Sequence, residues 1–330
     1  MDYRTLGRTG LRVSALGFGC GNVGGLLIRG TPAERKRAVA RALELGINYF
    51  DTAPIYGDGQ SEQNLGQVIR ALKPDIYVGT KVRVPSVPAV EIPAAIARSL
   101  EDSLRRLGQE RVDLLQLHNP VTVERGARTM SGADVKDAIV PALARLVEQG
   151  KVGFYGITAL GDTAALLDVL DAGLAHTAQV CFNLLNPTAA HAAPAGFPAQ
   201  DFDRLLARCA ASRTGAIVIR VLAAGALSGA DGRHPTAAPR VDPIASGPDY
   251  ATDVRRARML EALVEEGHVQ SLVEASLRFA LTADPVSTVL LGYSSLEQLE
   301  YAAASVAKGP LPAATVARLP ALWSRVATAG

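Results

Sequence analysis

Residues 47–50 (INYF), 76–80 (IYVGT) and 112–117 (VDLLQL) are short apolar runs, and the segments 62–72 and 92–107 between them have apolar residues spaced three or four apart. Short, almost continuously apolar runs are typical of strands buried on both faces, and such strands pair in parallel. The intervening spacing is typical of amphipathic helices. The stretch 47–117 therefore predicts repeated strand–helix units around a parallel sheet.

The same alternation extends over most of the 330 residues. Strands are predicted at 15–18, 47–50, 76–80, 112–117, 152–157, 177–182, 216–221 and 287–291. Helices are predicted at 32–45, 62–72, 92–107, 135–149, 162–172, 202–211 and 270–281. Residues 3–13 are predicted to form a hairpin ahead of the first barrel strand. Eight strands at this spacing predict an α/β fold, a (β/α)8 TIM barrel, in a single domain over residues 1–330.

A doubly wound open sheet is the competing architecture, and it usually carries G-x-G-x-x-G after its first strand. Here Gly17-Phe18-Gly19-Cys20-Gly21-Asn22 lacks the third glycine at the required place, which disfavours that fold. Two long connections, 183–200 and 222–253, follow late strands. They are expected to be lids or binding loops on the face formed by the carboxyl ends of the strands.

Composition favours a packed globular protein and disfavours several kinds of partner. Hydrophobic residues make up 48% of the chain, charged residues make up 20%, and the net charge is +2. We therefore expect binding neither to nucleic acid nor to a membrane. Residues 1–5 lack the pattern of a signal peptide, so a cytoplasmic location is expected. The three cysteines have no metal-site spacing, no metal is expected, and no pattern indicates an oligomeric state.

Lys81, one of six lysines, directly follows the predicted buried strand 76–80. An unpaired ammonium in such a place is costly or loses its proton. Asp51 and His118 directly follow the neighbouring predicted strands, and Tyr56 comes five residues after Asp51 in the same loop. Because the carboxyl ends of parallel strands lie on one face, these four side chains are predicted to converge on one pocket.

With these residues, the chain resembles members of the aldo-keto reductase superfamily over nearly its whole length. The resemblance includes the opening at 3–10, Asp51 with Tyr56-Gly57, Gly79-Thr80-Lys81, residues 114–118, 150–152, 156–158 and 179–183, and the run 292–299. The four polar residues match the superfamily's catalytic tetrad in identity, order and spacing.

The resemblance implies carbonyl reduction by hydride from a nicotinamide cofactor, with Tyr56 as the proton donor. A phenol has an ordinary pKa of about 10, too high for easy proton transfer in both directions near neutrality. Lys81 is expected to lower that pKa, and Asp51 is expected to keep Lys81 charged and oriented. His118 is expected to hydrogen-bond the substrate oxygen.

The resemblance also implies an extended cofactor across the carboxyl-end face. NADP(H) is favoured. NAD(H) is a close alternative, because position 294 is a serine and not an arginine or lysine that could bind the 2′-phosphate of NADP(H). The implied cofactor-binding residues fall into groups by the part of the cofactor they contact. Thr158 and Gln179 are implied at the nicotinamide carboxamide, with Ile219 against the ring and Arg220 nearby. The pyrophosphate is expected near Leu222, Ala224, Gly225 and Leu227, and the phosphate or ribose oxygens of the adenosine end near Gly292, Ser294 and Ser295, with Gln298 facing the adenosine. Gly21 and Asn22 complete the implied set.

The substrate implied by the resemblance is a small carbonyl compound or alcohol. Residues 153–162 are similar to a branch that contains aldose 1-dehydrogenases and pyridoxal-oxidising enzymes, so an aldehyde, an aldose or a small ketone is expected. The residues expected to line its pocket are Asn22, Val23, Tyr56, Val82, His118 and Asn119.

Two other functions are compatible with a barrel of this kind. One is a nucleotide-sensing regulatory subunit that turns substrate over poorly, as occurs among relatives that accompany potassium channels. The other is a barrel isomerase or lyase without net redox chemistry. Turnover of a generic aldehyde separates the first from a reductase, and nicotinamide binding argues against the second.

Overall fold

Alternating strands and helices build the molecule, as the apolar periodicity predicts. The computed structural model describes residues 1–230 and 232–328. The strands are β1 (Tyr3–Thr5), β2 (Arg12–Ser14), β3 (Leu16–Gly19), β4 (Tyr49–Asp51), β5 (Tyr77–Val82), β6 (Val112–Leu117), β7 (Val121–Thr122), β8 (Met130–Ser131), β9 (Val152–Ala159), β10 (Thr177–Cys181), β11 (Gly215–Ile219) and β12 (Val286–Gly292).

The helices lie mostly between these strands. They are α1 (Leu26–Arg29), α2 (Pro32–Glu44), α3 (Gln60–Leu72), α4 (Ile92–Leu107), α5 (Gly132–Asp134), α6 (Val140–Glu148), α7 (Thr163–Asp171), α8 (Leu205–Ala211), α9 (Tyr250–Arg258), α10 (Ala262–Glu265), α11 (Leu272–Ala280), α12 (Leu296–Ala307) and α13 (Ala313–Thr328). A π-helical segment, Val135–Ile139, joins α5 to α6.

Within the described residues, eight parallel strands close into a barrel in the order β3, β4, β5, β6, β9, β10, β11, β12. Closure is made by β12 against β3, where Val289 pairs with Leu16 and Gly292 pairs with Gly19. The predicted (β/α)8 barrel is therefore confirmed. Outside the barrel, β1 and β2 form the predicted antiparallel hairpin.

The largest departures from the predicted elements lie in the last third of the chain. The predicted loop 222–253 begins with a 3₁₀ segment, Ala223–Ser228, and ends inside α9, whose amino end is capped by the Asp249 side chain; its residue 231 lies outside the described residues. Helix α13 was not predicted, because its sequence is alanine-rich and contains Pro320. Its Trp323 is buried and donates to the Leu184 carbonyl, at 3.0 Å.

Apolar side chains fill two regions. The larger one lies between the barrel and the surrounding helices and includes residues from nearly every barrel strand. A smaller cluster, which includes Leu6, Tyr49, Leu114 and Ile217, brings residues of β4, β6 and β11 together with the hairpin segment. In the part of the chain that the structure describes, no helix is both long enough and apolar enough to cross a membrane.

Candidate active site

The four predicted catalytic side chains stand at the carboxyl ends of three neighbouring strands. Asp51 is the last residue of β4, Lys81 lies near the end of β5, and His118 directly follows β6. Tyr56 lies in the turn between β4 and α3. The Lys81 Nζ lies 4.8 Å from the centre of the Tyr56 ring. The Tyr56 and His118 rings are edge to face, with centres 5.8 Å apart. The structure thus brings all four together.

Asp51 is buried and is bonded through both carboxylate oxygens. Its Oδ1 accepts a hydrogen bond from the Lys81 ammonium, which also donates to the Thr52 carbonyl at 2.8 Å. Its Oδ2 accepts from the Tyr49 hydroxyl at 3.0 Å and from the Gln179 side-chain amide at 2.7 Å. A buried carboxylate needs such partners, because burial without them penalises the charged form.

The Lys81 ammonium stays charged despite its burial. Burial pulls the pKa of Lys81 down, but Asp51 and Tyr56 together raise it above the ordinary value. Its side chain is only 1% exposed, as is expected when a carboxylate of equal burial provides the counter-charge. Lys81 is therefore a fixed positive charge beside the Tyr56 ring.

The pKa of Tyr56 differs from the sequence-based expectation. Lys81 and Arg220 lower it, as predicted for Lys81, but burial is the larger influence and Asp51 acts in the same direction as burial. The net pKa of Tyr56 is therefore raised, and the phenol is protonated at neutral pH.

His118 is held as a neutral imidazole. Burial, with the charges of Lys81 and Arg83, lowers the pKa of His118 to about 3. Its main chain is fixed by a hydrogen bond to the Val82 carbonyl, at 2.8 Å. Among the described residues, its buried Nδ1 has no hydrogen-bond partner.

The turn that carries Tyr56 and the start of α3 after it are hydrogen-bonded to the segment that follows β3. Asn22 accepts a hydrogen bond from the Gly57 main-chain N–H at 2.9 Å. Ser61 donates to the Cys20 carbonyl at 2.8 Å. Asn64 donates to the Leu27 carbonyl at 2.7 Å. A Cβ on Gly21 would lie 3.4 Å from the Tyr56 ring, so Gly21 and Asn22 both lie beside the tyrosine.

Two of the predicted nicotinamide-binding side chains are neighbours in the barrel. Thr158 of β9 and Gln179 of β10 are paired in register and are both buried. The Thr158 hydroxyl lies 3.5 Å from the Gln179 Oε1, while the Gln179 amide nitrogen donates to Asp51. Gln179 therefore connects the predicted nicotinamide position with the buried carboxylate.

The predicted pyrophosphate segment has an unusual backbone. Arg220, Ala223, Ala224 and Gly225 have φ values of 59°, 45°, 59° and 107°. Such values are uncommon for residues with a Cβ and tend to cluster where a backbone contacts a ligand. The predicted residues in this region are Ile219, Arg220, Leu222, Ala224, Gly225 and Leu227.

A part of the long loop after β11 folds over the strand ends. Arg233 donates to the Ala224 carbonyl at 2.8 Å. Arg29 donates to the carbonyls of Asn22 and Thr236, at 2.6 and 2.7 Å. Neither arginine was predicted from the sequence, because each donates to main-chain carbonyls and belongs to no sequence motif.

The predicted adenosine end lies at the amino terminus of α12, which follows Gly292. The Ser295 side chain caps this helix. Ser294 donates its hydroxyl to the Gly24 carbonyl at 2.7 Å, and its main-chain N–H donates to Gln298 at 2.9 Å. A Cβ on Gly24 would lie 2.4 Å from main-chain atoms of 292–293, so glycine is required there for the close approach.

These residues fit a dinucleotide. None of the predicted cofactor-binding residues is acidic. The helix amino terminus and the guanidinium groups of Arg29, Arg220 and Arg233 would suit phosphate oxygens. The paired Thr158 and Gln179 would offer polar groups to a carboxamide.

Three of the residues expected around the substrate differ in accessibility. Val23 is partly exposed, whereas Val82 is fully buried. Asn119 is also fully buried. Its amide oxygen accepts a hydrogen bond from the Val84 N–H, and its amide nitrogen donates to the carbonyls of Val84 and Arg128. The Asn119 amide therefore connects the segment that follows β5 with the segment that contains Arg128.

Sequence reasoning missed Tyr49 as a site residue. Tyr49 and Asp51 are two apart in β4, so their side chains lie on the same face of the strand. That spacing was the available signal.

Comparison with known proteins identifies the family. A model of the aldo/keto reductase family matches residues 15–324. The chain is 30% identical to D-threo-aldose 1-dehydrogenase of a Pseudomonas species, over 91% of this chain and 92% of that one. It is 35% identical to L-galactose dehydrogenase of Arabidopsis thaliana, over only 48% of this chain and 49% of that one.

A solved structure agrees in fold. The holo form of an aldo-keto reductase from Bacillus halodurans superimposes with a TM-score of 0.71, at 25% identity, over 100% of this chain and 97% of that one. Because the family model covers all eight barrel strands and the solved structure covers the whole chain, this protein belongs to the aldo/keto reductase family.

Proposed function

We propose that the protein is an NAD(P)(H)-dependent oxidoreductase that interconverts a carbonyl compound and an alcohol, with Tyr56 as general acid and base. The observation that supports this most directly is the Tyr56 ring beside the Lys81–Asp51 pair, with His118 at its edge. The groups proposed to hold the cofactor are the guanidinium groups of Arg29, Arg220 and Arg233, the amino end of α12 with Ser294 and Ser295, and the paired side chains of Thr158 and Gln179.

The bound nicotinamide nucleotide supplies the hydride in reduction and accepts it in oxidation. His118, as a neutral imidazole, orients the substrate carbonyl by donating an N–H to its oxygen. Tyr56 is protonated at neutral pH and gives its proton to the same oxygen as charge develops there. Lys81 then stabilises the phenolate, and Asp51 keeps Lys81 charged and in place.

The substrate that we propose is a small aldehyde, aldose or ketone. The similarity to D-threo-aldose 1-dehydrogenase over nearly the full chain supports an aldose among these. NADP(H) is proposed as the cofactor on the usage of the family, with NAD(H) the alternative because Ser294 offers no positive charge for a 2′-phosphate.

Replacing Tyr56→Phe tests the assignment of the acid. Because the phenol is the proposed proton donor, we expect kcat for aldehyde reduction to fall by at least about 10²-fold, while the Kd for NADPH changes less than about twofold because the ring remains. The measurements are steady-state kinetics and quenching of protein fluorescence. A kcat equal to that of the wild type would show that another group donates the proton.

A matrix of NAD(H) and NADP(H) against aldoses and small aldehydes, assayed in both directions, tests the substrate class. Turnover of any of these by purified protein supports an enzyme. Tight cofactor binding without turnover would support the regulatory subunit instead, and failure to bind either nucleotide would overturn the redox function.

A further inference from the structure

Tyr49 is a fully buried tyrosine that the proposed chemistry does not use. Its ring belongs to the small apolar cluster with Leu6, Leu114 and Ile217. The hydroxyl is the one polar group of this side chain, and it donates to Asp51 Oδ2 at 3.0 Å. A phenylalanine would fill the same space, so apolar packing alone does not account for the hydroxyl.

The barrel leaves room for this ring through two glycines on the neighbouring strands. A Cβ on Gly79 of β5 would lie 2.7 Å from the Tyr49 hydroxyl oxygen and 3.2 Å from its Cε2. A Cβ on Gly17 of β3 would lie 3.1 Å from its Cδ1. Real Cβ atoms do not approach other atoms as closely as 2.7 Å, so Gly79 is needed where the hydroxyl reaches Asp51.

The hydroxyl acts on the carboxylate as a permanent donor. Burial, followed by the Asp51 charge, raises the pKa of Tyr49 well above its usual value, so the phenol keeps its proton. The two carboxylate oxygens then have separate partners: Oδ1 has Lys81, and Oδ2 has Tyr49 and Gln179. Donors on Oδ2 fix the plane of the carboxylate and disperse its charge.

We propose that Tyr49 is a positioning residue of the active site, whose hydroxyl holds the Asp51 carboxylate so that the Lys81 ammonium stays directed at Tyr56. The inference rests on the proposed role of Tyr56 as acid and base. Without the Tyr49 bond, the negative charge of Asp51 is less dispersed and acts more strongly against the Tyr56 phenolate.

The test is Tyr49→Phe in the full-length protein, with Tyr155→Phe as its control. Tyr155 is also a buried tyrosine on a barrel strand, its ring lies against His176, and its hydroxyl has no hydrogen bond among the residues that the structure describes. We expect Tyr49→Phe to lower kcat about tenfold, because the Lys81–Asp51 pair then stabilises the Tyr56 phenolate less well, with little change in the Kd for NADPH.

The readout that separates positioning from packing is the pH dependence of kcat in alcohol oxidation, where Tyr56 acts as a base. In this pH profile, the limb assigned to Tyr56 is the rise in kcat as the tyrosine loses its proton. That limb should move to higher pH in Tyr49→Phe and should not move in Tyr155→Phe. A Tyr49→Phe protein with the wild-type kcat and an unmoved limb would overturn this inference. It would leave the role of Tyr56 intact, since that role depends on Tyr56→Phe.

Gly79→Ala provides a second test, which applies even if Tyr49→Phe does not fold. The added methyl displaces the hydroxyl from Asp51, so the limb should move in the same direction. In the Tyr49→Phe background the hydroxyl is already absent, so Gly79→Ala should lower kcat little further. A folded Gly79→Ala protein with an unmoved limb would contradict the inference. So would a double variant whose loss of kcat equals the product of the losses in the two single variants.

Discussion

Lys81 is the residue on which the electrostatics of the site depend. It is almost completely buried, yet the Asp51 carboxylate and the Tyr56 ring keep its pKa high. Its charge opposes the effect of burial on Tyr56, whose net pKa is nevertheless raised. The Lys81 charge thus stabilises the phenolate at the step where a proton leaves the tyrosine, although the resting tyrosine is a protonated acid.

Replacing Lys81→Met is expected to lower kcat by about 10²-fold or more, because the phenolate loses its nearest positive charge. It should also destabilise the fold by about 3–5 kcal/mol, because Asp51 is left buried and unpaired. Steady-state kinetics and urea unfolding measure the two effects.

The double variant Asp51→Asn/Lys81→Met separates these effects. Removing both charges should restore most of the lost stability, since no unpaired charge remains buried, and should not restore kcat. Recovery of kcat together with stability would mean that Lys81 contributes to folding alone.

At the scale of elements, the turn between β4 and α3 is positioned by the segment between β3 and α2. The side chains of Asn22, Ser61 and Asn64 each make one hydrogen bond to a main-chain atom across these two parts of the chain. The bond between Asn22 and Gly57 lies next to Tyr56. Ser61 and Asn64 are buried in α3, whereas Asn22 is exposed. The exposed bond can therefore be removed without opening a cavity.

Asn22→Ala is expected to lower kcat several-fold at saturating cofactor, because the turn that holds Tyr56 loses its anchor, with a loss of only about 1 kcal/mol in stability. Asn22→Asp keeps the acceptor oxygen and should retain most of the kcat. Equal losses in the two variants would indicate that the amide nitrogen, or contact with a ligand, is what matters at this position.

At the scale of the whole molecule, partly buried histidines link stability to pH. Burial is the main cause that lowers the pKa values of His118, His176 and His191, which lie after β6, before β10 and after β10. The folded state therefore binds fewer protons than the unfolded chain once the pH falls below the ordinary histidine pKa of about 6.5. By linkage, the stability that these groups provide is complete above that pH and is lost as the pH falls.

We expect Tm to be nearly constant above about pH 7 and to fall between about pH 6.5 and 5, a range above the ordinary carboxyl pKa values. Differential scanning calorimetry measures the change. In His176→Asn, an amide oxygen replaces the Nδ1 that accepts from the Tyr155 N–H, and the decline should become shallower. An unchanged slope in that variant would remove His176 from the explanation.

Much of the fold could be predicted from local patterns. Apolar runs and helical spacing placed each barrel strand within about two residues, and Thr31 and Glu34 form the capping box that their spacing predicts. Helix α13 could not be predicted in this way. Its Leu319, Leu322 and Trp323 are buried against the rest of the molecule, but alanines and Pro320 obscure the apolar period.

The sequence by itself determined that Asp51, Tyr56, Lys81 and His118 lie together, because the carboxyl ends of adjacent parallel strands share one face of a barrel. The tertiary structure alone decided three other features: the net direction of the Tyr56 pKa, the bonding of Asn119 to two loops, and the contact of Tyr49 with Asp51 beside Gly79. Each depends on how closely atoms from distant segments approach one another. Burial and steric fit result from many neighbours that are far apart in the sequence, so no local pattern predicts them.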